Sequence, residues 1–337
     1  MKASRASSAS VFERRLSGGM GSGVNLNFPT VDVGNMDMKL KPAAKKCENI
    51  PSGQREPSDQ RCKIRGMATS GTPVVSKRQE KGGSHTHLVQ FYDDERVLAK
   101  NVSHYLGEGL RRGETVVVIA TRGHRDAFTG ELATQGFEPA EAMREGRLLL
   151  LDAGETLAGF MADGQPDRER FENTVGALIR KLRAEAGDEG LRAYGEMVDL
   201  LWNAGHSSAA MRLEALWNEL LGANGFSLLC AYQIDVFGKE FQIGVLDGVL
   251  CAHTHLVSAG ANGDLEGAVN DAIEQVLGSR AKGLKLLIKA NFRPAWAVVP
   301  QGEATVLWLR NNLPDYADEI LARARGSYQT SLSGNAN

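Results

Sequence analysis

His87-Leu88-Val89-Gln90-Phe91-Tyr92-Asp93-Asp94 is an apolar strand that runs straight into an acidic helix start. The helix after it carries Leu98, Val102, Tyr105, Leu106 and Leu110 at helical spacing, and Gly113 ends it before a second strand, Thr115 to Ala120. Many α/β ATPases share this frame but place the phosphate-cradling loop G-x-x-x-x-G-K-[ST] after the first strand. This chain keeps the frame and lacks the loop. Two carboxylates stand where helix amides would receive a phosphate, and they would repel a triphosphate. The stretch therefore reads as the start of an α/β core that senses or binds rather than hydrolyses ATP.

Working outward, further strands are expected at Leu148 to Asp152, Leu191 to Met197 and Phe226 to Tyr232. Leu148-Leu149-Leu150-Leu151 is continuously apolar, as in a strand covered on both faces. Between them lie helical patterns such as Phe171, Val175, Leu178, Ile179 and Leu182, and Ala210, Leu213, Trp217 and Leu220, the latter with Ser207-Ser208 as its expected cap. Strands alternating with helices of this length indicate parallel βαβ crossovers, although the pattern does not fix the order of strands in the sheet. Open parallel sheets bind ligands at the carboxyl ends of their strands. Those ends carry Tyr92, Asp93, His124, Asp152, Glu155, Glu196, Asp199 and Tyr232. Helix capping explains Asp93, Asp94 and Asp152 as well as a ligand does. Glu196, inside the apolar run Tyr194 to Trp202, needs a partner: Arg192, His124 or a ligand.

Composition sets the outer limits. The 337 residues are 42% hydrophobic and 24% charged, enough for one principal domain with appendages. Residues 1–83 hold 15 Lys/Arg against 7 Asp/Glu, and the remainder 24 against 34, so a +8 tail precedes a −10 body. Nothing in that body's charge argues for direct nucleic-acid binding. The Ser-, Gly- and Arg-rich tail has no sustained period and reads as disordered, with Met67 as an alternative start. Cys47, Cys62, Cys230 and Cys251 form neither a disulfide framework nor a Cys-x-x-Cys knuckle, and no apolar run is long enough to span a membrane, so a cytoplasmic protein is expected.

His85-Thr86-His87 and His253-Thr254-His255 each put two imidazoles on one face of a strand at plausible metal spacing. Neither pair has a Cys or carboxylate at supporting spacing along the chain, so no metal or other cofactor is expected. Cys230, inside a strand, reads as an inert core thiol, and without a G-x-S-x-G elbow no nucleophilic catalysis is expected. Beyond His255, Leu265, Val269, Ile273, Val276 and Leu277 form an amphipathic helix. Two further helices are expected at Glu303 to Arg310 and Asp315 to Arg325, with order ending at Tyr328.

Taken together, His87 to Tyr92, Gly195 to Trp202, Leu213 to Asn218, Phe226 to Tyr232 and His253 to His255 resemble the MEDS family, the methanogen/methylotroph sensory domain. That domain also occurs in the dichloromethane-responsive repressor and in bacterial sensor kinases. The resemblance covers residues 85–257. It implies a RecA- or KaiC-like parallel sheet sandwiched by helices, with a degenerate P-loop, serving as an input module for small organic compounds. The chain departs from the repressor and kinases in having neither a helix-turn-helix nor kinase motifs, which leaves its output open.

Carried over by position, the implied ligand pocket uses His87, Gln90, Tyr92, His124, Glu196, Trp217 and Asn218. A three-atom halocarbon could gain at most about −4.5 kcal/mol at about −1.5 kcal/mol per heavy atom, near millimolar affinity. A larger or charged metabolite suits the acids and His124 better. The expected organisation is a tail (1–83), a sensory domain (84–257), a helical C-terminal region (258–328) and a short end (329–337). The expected function is non-catalytic sensing, relayed to a signalling partner or a second copy through the C-terminal helices. A diverged nucleotide-binding protein or ATPase and an oligomeric scaffold with a vestigial pocket are the alternatives.

Overall fold

The computed structural model describes residues 86–259, 264–291 and 297–334. The readings made for the tail, for Met67 and for His85 lie outside these residues. Six parallel strands form one sheet in the order β3-β2-β6-β7-β1-β8. They are β1 (Thr86–Phe91), β2 (Thr115–Ala120), β3 (Leu148–Asp152), β6 (Leu191–Gly195), β7 (Ser227–Tyr232) and β8 (His255–Val257), and a small antiparallel hairpin, β4 (Met161–Ala162) and β5 (Gln165–Pro166), stands apart. Val89 of β1 lies opposite Cys230 of β7 on one side and Leu256 of the edge strand β8 on the other.

Crossover direction explains the layers. From β1 to β2 through α1 (Glu95–Arg111), and on to β3 through α2 (Arg122–Thr134) and α3 (Pro139–Arg144), the chain travels one way across the sheet. It then returns the other way: to β6 through α4 (Ala153–Phe160), α5 (Arg168–Phe171), a π turn (Glu172–Gly176) and α6 (Ala177–Ala186), to β7 through α7 (Met197–Asn203) and α8 (Ser207–Asn224), and to β8 through α9 (Ile243–Ala252). Right-handed crossovers travelling in opposite directions must lie on opposite faces.

The buried side chains divide accordingly. Leu98, Val102, Leu106 and Phe128 meet Val116, Val118, Tyr194 and Leu229 on one face. Phe171, Leu213, Trp217 and Leu246 meet Val89, Phe91, Val117, Leu228 and Cys230 on the other. The alternation along each strand sends neighbouring residues to opposite sides.

Several expectations are refined. The leucine run at 148–151 is not covered on both faces: β3 is an edge strand, and only Leu148 is fully buried. The strand expected to reach Met197 stops at Gly195, and Met197 opens α7. Asp94 and Asp152 do cap α1 and α4, accepting the amides of Arg96 and Glu155. Ser207 and Ser208 do not cap α8; His206 is the cap residue and makes no side-chain cap hydrogen bond.

The C-terminal helices α10 (Asp264–Leu277), α11 (Ala281–Asn291), α12 (Gln301–Asn312) and α13 (Pro314–Gly334) share the core of the α8–α9 face. α13 continues past Tyr328 to Gly334, correcting the expected end of order. Glu303 of α12 is buried and accepts Ser258 Oγ and the Ala259 amide, and Tyr328 Oη donates to the Ala259 carbonyl. Gly302 permits the approach of α12 to α10, since a Cβ there would lie 2.9 Å from the Glu266 backbone nitrogen. Among the described residues, no helix is long and apolar enough to cross a membrane.

Candidate functional site

Reversal of crossover direction opens crevices at the carboxyl edge of an α/β sheet. Here β1 and β7 are neighbours that exit in opposite directions, and so are β2 and β6. The residues that follow these four strands converge. Glu196, immediately after β6, does not cap α7 with its side chain. Its carboxylate accepts the Thr121 amide at 2.5 Å, His124 Nδ1 at 2.5 Å and Tyr194 Oη at 3.1 Å. Asp199, one turn along, accepts Tyr92 Oη at 3.1 Å, the Gln233 amide at 2.8 Å and Asn203 Nδ2 at 3.1 Å.

The electrostatics of this group are unusual. Burial raises Asp199 to about 6, its hydrogen bonds only partly offsetting the loss of hydration. Burial works against a charge on His124, yet the hydrogen bond and charge of Glu196 outweigh it and the imidazole pKa is raised above 6.5. Burial and the adjacent Asp199 and Glu196 push the Tyr92 hydroxyl far up, so it acts as a donor. Gln90 lies two residues before Tyr92 on the same face of β1, fully buried, and neither polar atom of its amide has a hydrogen-bond partner.

Of the residues expected in one pocket, Tyr92, His124 and Glu196 therefore meet at the carboxyl edge, with Gln90 on the same face of the sheet. His87, Trp217 and Asn218 belong to the opposite face. Trp217 is core, with its ring edge-on to Phe171 at 5.3 Å and only 1% of its surface exposed. Arg192, offered as a partner for Glu196, instead pairs with Glu114 at 2.7 Å.

On that opposite face a second polar cluster is built. His87 (β1), Glu214 (α8), Cys230 (β7) and His253 (just after α9) are at most 2% exposed, and one ligand-type atom from each lies within 4.8 Å of all the others. His87 Nδ1 contacts the Ala252 carbonyl at 3.0 Å and Asn218 Oδ1 at 3.1 Å, while Asn218 Nδ2 donates to the same carbonyl. His253 Nδ1 contacts the Val249 carbonyl at 2.6 Å. Tyr232 Oη donates to Glu214 Oε1 at 2.5 Å. Burial raises Glu214 to about 8 and drives His253 well below its ordinary value.

Each His-Thr-His pair thus contributes one imidazole to a shared cluster. The supporting Cys and carboxylate come from other elements, which is why spacing along the chain did not reveal them. His255 faces elsewhere on β8, its Nδ1 at 2.9 Å from Thr254 Oγ1. Asp199, Glu214, Cys230 and His253 all lie outside the expected pocket set.

A family model described as MEDS: MEthanogen/methylotroph, DcmR Sensory domain matches residues 86–254. No curated protein matches the chain. The matched segment runs from β1 through His253, covers half of the 337 residues, and contains both the carboxyl-edge group and the buried His/Glu/Cys cluster. On that match, this chain belongs to the MEDS family of sensory domains.

Proposed function

We propose that the protein is a non-catalytic sensor that binds a small polar organic ligand in the carboxyl-edge crevice and relays the change to its C-terminal helices. The observation that carries this reading is the convergence of Tyr92, His124, Glu196 and Asp199 where the crossovers reverse. A ligand with a hydroxyl, carbonyl or cationic group has donors and acceptors of both charge states to choose from there, and the unpartnered Gln90 amide adds one of each. We read the core as RecA-like with a degenerate P-loop. In support, Asp94 already occupies the first amides of α1, so the position that would take a phosphate is filled by the chain's own carboxylate.

The relay runs through the segment after β7. The Gln233 amide is held by Asp199, and two residues on Asp235 pairs with Arg325 of α13. The Phe237 carbonyl accepts Arg310 of α12, and the Phe237 ring lies 5.6 Å from that of Tyr328. A ligand that displaces Asp199 therefore pulls on a segment that anchors both helices. To transmit a signal it must favour one arrangement by a few kcal/mol.

The test is a thermal-shift screen of small organic acids, alcohols and amines against the full chain. A binder whose effect is abolished by Glu196→Gln and by Tyr92→Phe, and which changes hydrogen exchange in α12 and α13, is the expected result. Binders indifferent to both substitutions would refute the site. Calorimetric titration of Mg-ATP separates this reading from a diverged nucleotide-binding protein, because micromolar binding would overturn it.

A further inference from the structure

We propose that His87, Glu214, Cys230 and His253 form a buried, four-ligand zinc site on the α8–α9 face of the sheet. The inference starts from hydrogen-bond direction. A carbonyl oxygen can only accept, so the Ala252 and Val249 carbonyls assign the proton to Nδ1 of His87 and of His253. Both Nε2 atoms then present lone pairs to the centre of the cluster, as zinc-ligating histidines do when their other nitrogen is bonded to a backbone carbonyl.

What converges is a set of metal-ligand atoms: two imidazole nitrogens, a carboxyl and a thiol. His87 Nε2 lies 3.4 Å from Glu214 Oε2, His253 Nε2 lies 3.5 Å from Glu214 Oε1, and His87 Nε2 lies 3.4 Å from Cys230 Sγ. His253 Nε2 is buried with no hydrogen-bond partner. A divalent cation that displaces the thiol and carboxyl protons would turn all four groups into ligands aimed at one buried centre.

The separations fit such an ion. Zinc bound to nitrogen or oxygen at about 2.0–2.1 Å and to sulfur at about 2.3 Å sets its ligands about 3.3–3.6 Å apart in a tetrahedron. Three of the contacts lie in that range, and the fourth, Cys230 Sγ to Glu214 Oε2, is 4.0 Å. A thiolate and a carboxylate also neutralise a divalent ion, so the loaded site carries no net charge into the core. Mixed imidazole, thiolate and carboxylate donors suit zinc rather than magnesium or calcium. With four protein ligands and no exposure, the ion has no open position and serves structure.

It would tie the neighbouring strands β1 and β7 to α8 and to the end of α9. Tyr232, donating to Glu214, and Asn218, beside Nδ1 of His87, would be its supporting shell. The site does not depend on the sensory reading above. It occupies the opposite face of the sheet, and His87 is about 16 Å along β1 from Tyr92 at about 3.3 Å per residue.

The test uses the full chain, unfolded with chelator and reductant and then refolded with one equivalent of Co2+. The expected result is a tetrahedral cobalt spectrum with a thiolate-to-cobalt charge-transfer band. That band should vanish in Cys230→Ser, and His253→Gln should weaken binding at least tenfold. Absence of the band in the wild-type chain, or its persistence in Cys230→Ser, would overturn the site. Should either variant fail to fold, X-ray absorption at the zinc edge of wild-type protein refolded with Zn2+ decides. One sulfur and three nitrogen or oxygen ligands support the proposal, and any other sulfur count defeats it.

Discussion

Replacing Asp199 by Asn should remove a specific piece of the protein's pH dependence. Asp199 is 6% exposed, and burial raises its pKa from 3.8 to about 6. That displacement corresponds to about 3 kcal/mol at 1.36 kcal/mol per pH unit. Because the folded value is raised, the proton contributes stability in full below the unfolded pKa of 3.8, and the contribution is lost as pH rises through about 6. Asn keeps an Oδ1 for the Gln233 amide and Asn203, and its Nδ2 can donate to Tyr92 Oη once that hydroxyl turns. The packing is thus preserved while the charge is removed. Urea unfolding of both proteins from pH 4 to pH 7.5 measures the effect, and the difference between them isolates it from the other carboxylates. Wild type should lose about 2–3 kcal/mol relative to the variant across that interval. A difference that is flat with pH, or that grows in favour of wild type as pH rises, would show that Asp199 is not held in this state.

Three other outcomes follow from the geometry. Glu196→Gln removes the charge that outweighs burial at His124, so the imidazole pKa, followed by NMR, should fall from above 6.5 to below it; an unchanged value would mean that the pair does not form. Gly302→Ala would put a Cβ 2.9 Å from the Glu266 nitrogen and 3.3 Å from its Cα, backbone atoms that cannot step aside, and should destabilise the chain by about 1–3 kcal/mol in denaturant melts despite alanine's better helix propensity. Trp217→Ala should cost about 3–5 kcal/mol of unfolding free energy, as for a buried aromatic, and a loss below about 1 kcal/mol would contradict its place in the core.

Local pattern was a good guide where one element's chemistry sufficed. The apolar strands, the helical spacing from Leu98 to Leu110 and the caps at Asp94 and Asp152 were all legible, because each depends on residues a few positions apart. Glu196 stood out because a carboxylate inside an apolar run needs partners wherever the run ends up. The edge position of β3 was not legible, since a leucine-rich strand has the same local pattern at the centre and at the rim of a sheet. Period-two alternation could have separated His87 from Gln90 and Tyr92, as odd and even positions on β1 face opposite sides. Position along the motifs groups them into one pocket, and only the face each side chain occupies separates them.

By itself the sequence determined the α/β class, the alternation of strands and helices, the missing phosphate loop and the family, all of which are written in short windows or in the order of motifs. The tertiary structure alone decided which strands became neighbours and hence what met. Sheet order put Tyr92 beside Asp199 and His124 beside Glu196. It also gathered His87, Glu214, Cys230 and His253 from four separate elements. Contacts between residues more than 100 positions apart, such as His87 and Cys230, depend on crossover direction and packing, which no local spacing encodes.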